Sequence, residues 1–585
     1  MYDRGTARDA SVECRSLQKP TSYRVQSVLD VTLSYHQRSK HFPFQFAPSV
    51  GYMDWDTQPD PFRRFEGART FPLEFEPVGP LPRYEPTFVL GQVDPTPVNA
   101  ATVARLFYDS LALSAWKEIS GARWSLRVNP SSGNLHPTEA YLVGGLLPGL
   151  HDKPAVYHYA PLAHALELRV ELPKEVWRAI SAQLPKNALL IGLTSIHWRE
   201  SWKYGERAFR YCHHDVGHAI ACVSVAAAGL GWDARLLEGV IDEDLAILLG
   251  AHLQTGVEAE HPDCLIAVFP QSGYLEVEMQ QSFRLETNLV AALRAAHWMG
   301  RRNTLSQGHH DWPAIDEVAA ATEKHAPPSD AFWSSFSHRN DSLELGESPL
   351  SLRSMIHQRR SAVALDGRTS ITREAFYQIL LKAMPGDNQI PFTILPWRPC
   401  VDLLLFVHRV EVLPPGLYVL LRDPARKNAL RSSMKPNFLW RRPDGCPSSL
   451  PFFFLMGGDA RRAAQQTSCD QAIAGDGAFA VAMLAEYRKR LEGFGPWFYR
   501  RLYWETGVVG QVLYLEGEAI GIRGTGIGCF FDDLSHRVFG LEGDCFQVLY
   551  HFTMGGAVDD PRLRTRPPYP DLDCDAWANK RSTEP

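Results

Sequence analysis

The stretch Asn129-Pro130-Ser131-Ser132-Gly133-Asn134-Leu135-His136-Pro137-Thr138-Glu139-Ala140-Tyr141 gathers small hydroxyls, an amide and two prolines in a loop that feeds a strand. Short donors on a constrained backbone suit a polar, planar ligand, although by composition alone the same residues make an ordinary turn. A second cluster, Arg359-Arg360-Ser361, sets two guanidiniums beside a hydroxyl. Forked donors that keep their charge can clamp phosphate; taken alone, the cluster is equally a solvated helix end. A third, Lys203-Tyr204, precedes a helix, where a lysine desolvated in a pocket can accept a proton. The bland alternative is a pair of surface residues with buried stems. The run Gly521-Ile522-Arg523-Gly524-Thr525-Gly526-Ile527-Gly528-Cys529-Phe530-Phe531-Asp532 permits close backbone approach. Without a surrounding βαβ unit or a GK[ST] ending, it is neither a dinucleotide fingerprint nor a P-loop.

Other chemistries fit poorly. Cys212, His213, His214, His218 and Cys222 include a His-x3-His spacing, but the HExxH glutamate is missing and the segment reads as a packed helix, so no metal is expected. Ten cysteines contain no CxxC pair and no dense disulfide framework. A net charge of -6 without a long basic block argues against nucleic acid. No apolar stretch approaches the roughly 20 residues of a bilayer span. The amino terminus has no apolar signal core, so a cytoplasmic protein is expected.

The elements that must position these groups occupy 585 residues, too many for one hydrophobic core. Residues 1–85 read as an irregular wrapping arm. EAYLVGG, AVYHYAP and LELRVEL read as strands, followed by an apolar-faced helix from Arg207 to Leu230 that ends at glycines. Residues 323–349 carry three prolines and read as a linker, after which the pattern restarts: a helix-like LRSMIHQRRSA, strands in CVDLLLFVHRV and GLYVLLR, and a helix from Tyr499 to Glu518. Residues 209–250 fall on 499–540 at an offset of 290 without a gap, with Arg210 on Arg500, Gly217 on Gly507, Gly231 on Gly521, Asp242 on Asp532 and Gly250 on Gly540. The expected organisation is therefore an arm, one unit at 86–322, the linker, and a related unit at 350–585.

The 129–141 loop resembles the PSSxNxQPW loop of the nitroreductase superfamily, in the SGNLHPTEAY form of the SagB-type dehydrogenases; His136-Pro137-Thr138 departs from the simple nitroreductase ending. The resemblance implies an α+β fold, FMN as cofactor, and a dimer with the flavin buried between subunits. It implies that Ser131, Ser132 and Asn134 contact FMN. Arg359, Arg360 and Ser361 match the family's RxS signature, although Val363 stands where another basic residue is common. Gly526, Gly528 and Cys529 resemble the segment beside the flavin ring, and Arg564 or Arg566 the carboxy-terminal arginine. Lys203-Tyr204 resembles the Lys-Tyr pair implicated in catalysis by azoline dehydrogenases, which oxidise rings in peptides.

The first half has the serine loop, whereas the second reads Thr393-Ile394-Leu395-Pro396-Trp397-Arg398-Pro399 at that place; the second half has the arginines and the glycine run. One site can be assembled by complementing the halves. The expectation is two tandem nitroreductase-like domains forming an intramolecular pseudo-dimer, with one FMN, a degenerate second site, and a small-molecule or peptide substrate. The alternatives are an NAD(P)H-dependent nitro or quinone reductase, and a non-catalytic flavin-binding protein. Further oligomerisation is open.

Overall fold

Strands that are apolar at nearly every position need both faces covered. Thr138–Gly144, Ala155–Ala160 and Leu189–Ser195 are buried at every residue, as are Val401–Val407, Gly416–Leu420 and Phe479–Glu486. In the computed structural model, which describes residues 27–271, 277–333 and 350–570, each trio forms the middle of an antiparallel sheet. The first sheet has seven strands, in the order Thr70–Pro72, Ala165–Glu171, Ala155–Ala160, Thr138–Gly144, Leu189–Ser195, His261–Pro270, Trp232–Leu236. The second has six, in the order Phe452–Gly457, Gly416–Leu420, Val401–Val407, Phe479–Glu486, Phe546–Gly555, Arg523–Ile527. Apart from the edge strand Thr70–Pro72, the two orders correspond. Among the described residues, no helix is long and apolar enough to cross a membrane.

Two long helices, Ala208–Ala228 and Phe498–Ala519, cross between the sheets. The sequence suggests one apolar face for the first. It is instead buried all round, because its own sheet lies on one side and the other helix on the other. The crossing is possible because glycines meet there. A Cβ at Gly217 would lie 2.9 Å from the Cα of Gly507 and against the carbonyl of Trp504; one at Gly507 would lie 2.8 Å from the Cα of Gly217 and against the carbonyl of His214. Residues 290 apart therefore exchange contacts, the pattern of a two-fold interface. The same reciprocity sets the charges around the crossing: Arg210 donates to Asp532 at 2.7 Å, and Arg500 donates to Asp242.

The halves also exchange extensions. Residues 27–41 reach the second sheet, where His36 bonds Tyr499 and Gln547, and Lys40 bonds Asp533. Part of this arm is not irregular: Ser27 and Asp30 form a capping box that starts the helix Val28–Arg38. In return, Arg564–Arg566 pairs with Leu113–Ile119, which also pairs with Ala122–Arg127, and Tyr569 bonds the backbone of Leu113 and Pro161. Of the expected linker, residues 334–349 lie outside the described residues; the first part is largely exposed but is pinned by two buried side chains, Lys324 and Phe332.

The crossing predicts a sharp contrast between glycines. Gly507→Ala should cost about 1–3 kcal/mol in urea unfolding, because backbone must move. Gly493→Ala, in the helix Arg488–Phe494 with no atom near its Cβ position, should be neutral or stabilise by up to about 1 kcal/mol. Equal effects would contradict the crossing.

Candidate functional site

The loop that begins the 129–141 stretch departs from ordinary backbone: Gly133, Asn134 and His136 all have positive φ, at 59°, 61° and 53°. For residues with a Cβ this conformation costs roughly 1–3 kcal/mol unless the surroundings impose it. Here they do. Ser131 Oγ accepts from the His136 amide at 2.8 Å, the Asn134 side-chain amide donates to the Ser125 carbonyl at 2.7 Å, and Asn134 Oδ1 bonds His136 Nε2 at 3.0 Å. Beneath the loop, buried Arg199 holds the His136 carbonyl at 2.8 Å and pairs with Glu139, which also meets His158 at 3.0 Å. Burial opposes a charge on His158, but its bonds to Glu139 and Glu167 prevail and push its pKa up to about 9.

The loop's backbone is anchored to the first central helix: the Ser132 amide and hydroxyl both donate to Asp215 at 3.0 Å. Burial pushes the Asp215 carboxyl up to about 7, against the lowering effect of the serine bonds. Glu200, fully buried on the helix His197–Tyr204, is also pushed up, by burial first and then by Asp215. Tyr204 lies across Tyr211 with ring centroids 4.6 Å apart, and burial pushes its hydroxyl well above the usual phenol range. Lys203 Nζ lies 3.2 Å from where a Cβ on Gly133 would stand, so the Lys-Tyr pair supports the loop from below.

The other half arrives by the short helix Leu352–Gln358, docked to the first half through Arg353 and His357 on Asp109, at 2.7 and 2.8 Å. It stops at Arg359, whose guanidinium donates to the Arg127 and Val128 carbonyls at 3.3 Å. Arg360 donates to the Ser114 carbonyl at 3.0 Å, and Ser361 bonds the Tyr514 hydroxyl at 2.9 Å. Burial, then the Arg359 charge, pulls Arg360 down to about 10, still a cation at neutral pH. The glycine run supplies the opposite wall. The Cβ space at Gly526 and Gly528 is taken by Tyr550 and Tyr211, so these glycines are required by packing against tyrosines inside the wall.

These pieces enclose a cavity of about 430 Å³, within the range of small-molecule sites. Its walls include Ser131, Ser132, Asn134, Tyr204, Arg359, Arg360, Ser361, Gly526, Gly528 and Cys529. Lys203 is half-buried behind Tyr204 and Gly133 and is not among the wall residues. Arg564 and Arg566 are not brought to the cavity: they lie on an exposed strand, where Arg566 pairs with Glu118 at 2.7 Å, because that segment serves as an edge strand for the first half. Cations that sequence reasoning missed are Arg523 and Lys117. It also missed Asp215, whose counterpart at the 290 offset is another acid, Glu505, a signal that was available.

At the place related by that offset, the described residues put larger side chains where the cavity has glycines. Leu236 and Glu238 stand where Gly526 and Gly528 stand, and Arg501 where Tyr211 stands. Glu238 binds Arg501 at 2.8 Å and Lys324 at 2.5 Å, leaving a void of about 10 Å³, room for one water at most. Glu505 accepts from the Cys400 amide at 2.9 Å, the Trp397 indole at 3.2 Å and Arg422.

Residues 92–274 match the family model described as "Nitroreductase family". The match spans under a third of the chain. A Methanocaldococcus jannaschii protein named as a nitroreductase is 26% identical over 130 residues, 20% of this chain; the match spans 62% of that protein, under two thirds of its length. A crystal structure of an Anabaena variabilis protein titled as a nitroreductase superposes with a TM-score of 0.65 at 21% identity, over 90% of this chain and 99% of that one. This likeness is one of fold, and it runs through both sheets, whereas the family match lies on the first.

The Asp215 carboxyl generates a pH prediction. A carboxyl raised on folding keeps a proton that the unfolded chain has already released. The Asp215 contribution to stability should therefore fall as pH rises from about 4 to 7, by up to about 1.4 kcal/mol per unit. Asp215→Asn should flatten that slope in urea unfolding; an unchanged slope would contradict the assignment.

Proposed function

We propose that the chain is an FMN-dependent oxidoreductase of the nitroreductase superfamily, SagB-type, built as two tandem nitroreductase-like domains that act as a pseudo-dimer. The observation that carries this reading is the convergence of the serine loop, the Arg359-Arg360-Ser361 cluster and the Gly526–Cys529 wall, drawn from both halves, on one cavity. The donor set fits FMN. Arg359, Arg360, Lys117 and Arg523 offer cations for a phosphate, and the walls hold buried polar atoms without partners: Arg359 Nε, Asn129 Oδ1 and the Tyr211 hydroxyl.

When bound, FMN supplies the hydride-accepting chemistry at its N5 position. The chain's own residues bind and orient. Arg359 and Arg360 would hold the phosphate, and the backbone of Ser131–Asn134, kept rigid by its internal bonds and Asp215, would help to bind the rest of the group. Tyr204 stays protonated and can donate, and Asp215 can take or return a proton beside it. Burial of the wall tyrosines keeps water from that side.

Arg359→Ala and Arg360→Ala should each weaken FMN binding about 10- to 100-fold, the worth of a charged hydrogen bond, as read by quenching of flavin fluorescence. Unchanged affinity in both would contradict the assignment. Anaerobic mixing with NADH or NADPH then separates the two enzymatic readings: a dehydrogenase of this kind should leave the flavin oxidised, whereas rapid bleaching identifies an NAD(P)H-dependent nitro or quinone reductase.

A further inference from the structure

Two half-buried cysteines meet at the rim of the cavity. The sulfurs of Cys469 and Cys529 are 2.8 Å apart, although the residues are 60 positions apart in sequence. Cys529 closes the Gly526–Cys529 wall. Cys469 follows the helix Arg461–Thr467 on a turn in which it and Asp470 are both left-handed, with φ of 55° and 57°. Aspartate tolerates this conformation, but for cysteine it costs roughly 1–3 kcal/mol, so the surroundings must hold the turn. They hold it against the cavity wall: Gln471 Nε2 donates to the Cys529 carbonyl at 3.0 Å and to the Ser468 carbonyl at 2.8 Å, and Ser468 Oγ bonds His551 at 3.0 Å. A strained, well-anchored turn thus presents one thiol to another.

The two sulfurs differ electrostatically. Arg207 donates to the Gly528 carbonyl at 3.0 Å, one residue before Cys529. The Cys529 thiol is pushed down, by the Cys469 thiol first and by Arg207 as well, against the effect of burial. Cys469 is pushed up by the same contact and by burial. A thiolate is the attacking form, and the Arg207 guanidinium held on the Gly528 carbonyl favours it at Cys529, so Cys529 attacks and Cys469 resolves. Among the other described cysteines, Cys212, Cys222, Cys264 and Cys400 are buried.

We propose that Cys469 and Cys529 are a reversible dithiol–disulfide pair that exchanges with low-molecular-weight disulfides and so latches one wall of the cavity. The Cys529 thiolate attacks one sulfur of the external disulfide; a mixed disulfide forms and one external thiolate leaves. Cys469, its proton passed to solvent, then attacks the Cys529 sulfur, closing the internal bond and releasing the second external thiolate. Two protein thiols are oxidised and one external disulfide is reduced to two thiols. The closed bond ties the Ser468–Gln471 turn to the end of the glycine-rich wall. Reduction frees it.

The test needs neither flavin nor turnover, so its outcome is separate from the FMN reading. The purified full chain is equilibrated in a series of oxidised and reduced glutathione, alkylated, digested without reduction and mapped by mass spectrometry. A cross-linked Cys469–Cys529 peptide should rise as the series becomes oxidising and vanish when the poise is reversed. Cys469→Ser should instead trap glutathione on Cys529. Alkylation of both Cys469 and Cys529 throughout the series in the unsubstituted chain would overturn the proposal; a Cys529 that stays free of glutathione in Cys469→Ser would overturn the assigned order of attack.

Discussion

The close crossing of Ala208–Ala228 with Phe498–Ala519 is the constraint on which the other features depend. Gly217 and Gly507 let two backbones touch where any Cβ would meet a carbonyl, and Arg210–Asp532 and Arg500–Asp242 clasp the crossing from either side. Burial alone would push Asp532 up, yet the guanidiniums of Arg207 and Arg210 hold it well below the usual carboxylate range. Buried pairs of this kind contribute little net stability compared with apolar packing, but losing one partner leaves a charge in the core. Their effect is to specify register. With the crossing set, the end of the glycine-rich strand of one half stands opposite the serine loop of the other.

Reciprocity at the crossing makes the asymmetry around it informative. The same geometry offers two places related by the 290 offset, and side chains decide which stays open. On one side, glycines and tyrosines leave about 430 Å³; on the other, Leu236, Glu238, Arg501 and Lys324 leave about 10 Å³. The paired acids show how the divergence works. Asp215 holds a polar loop whose backbone faces a cavity, while Glu505 is enclosed by Cys400, Trp397 and Arg422. Opening that side would require removing a network, not one side chain.

Much of the fold was legible because its signals are local. Apolar runs such as Thr138–Gly144 and Val401–Val407 marked strands, and glycines marked where the first long helix ends. The offset of 290 found the residues that meet at the crossing, since equivalent positions on a two-fold touch one another. The serine loop, the two arginines and the glycine wall were recognisable as types, and they do line one cavity. What was hidden depends on long-range pairing. Nothing in Arg564 and Arg566 says that their strand will pair with Leu113–Ile119, and nothing in the polar segment at 323–349 says that Lys324 will reach Glu238. The helix Val28–Arg38 was missed because its short capping box was overlooked beside a proline- and arginine-rich stretch. The reason for Gly526 and Gly528 was also out of reach: the tyrosines that need their space come from other elements.

We propose that the two-fold arrangement within one chain keeps one ligand site and fills the other. Calorimetric titration of flavin-free protein with FMN tests it most directly. A single site per chain is expected. Two FMN per chain would contradict it, because the second place could then not be the packed Glu238–Arg501–Lys324 core.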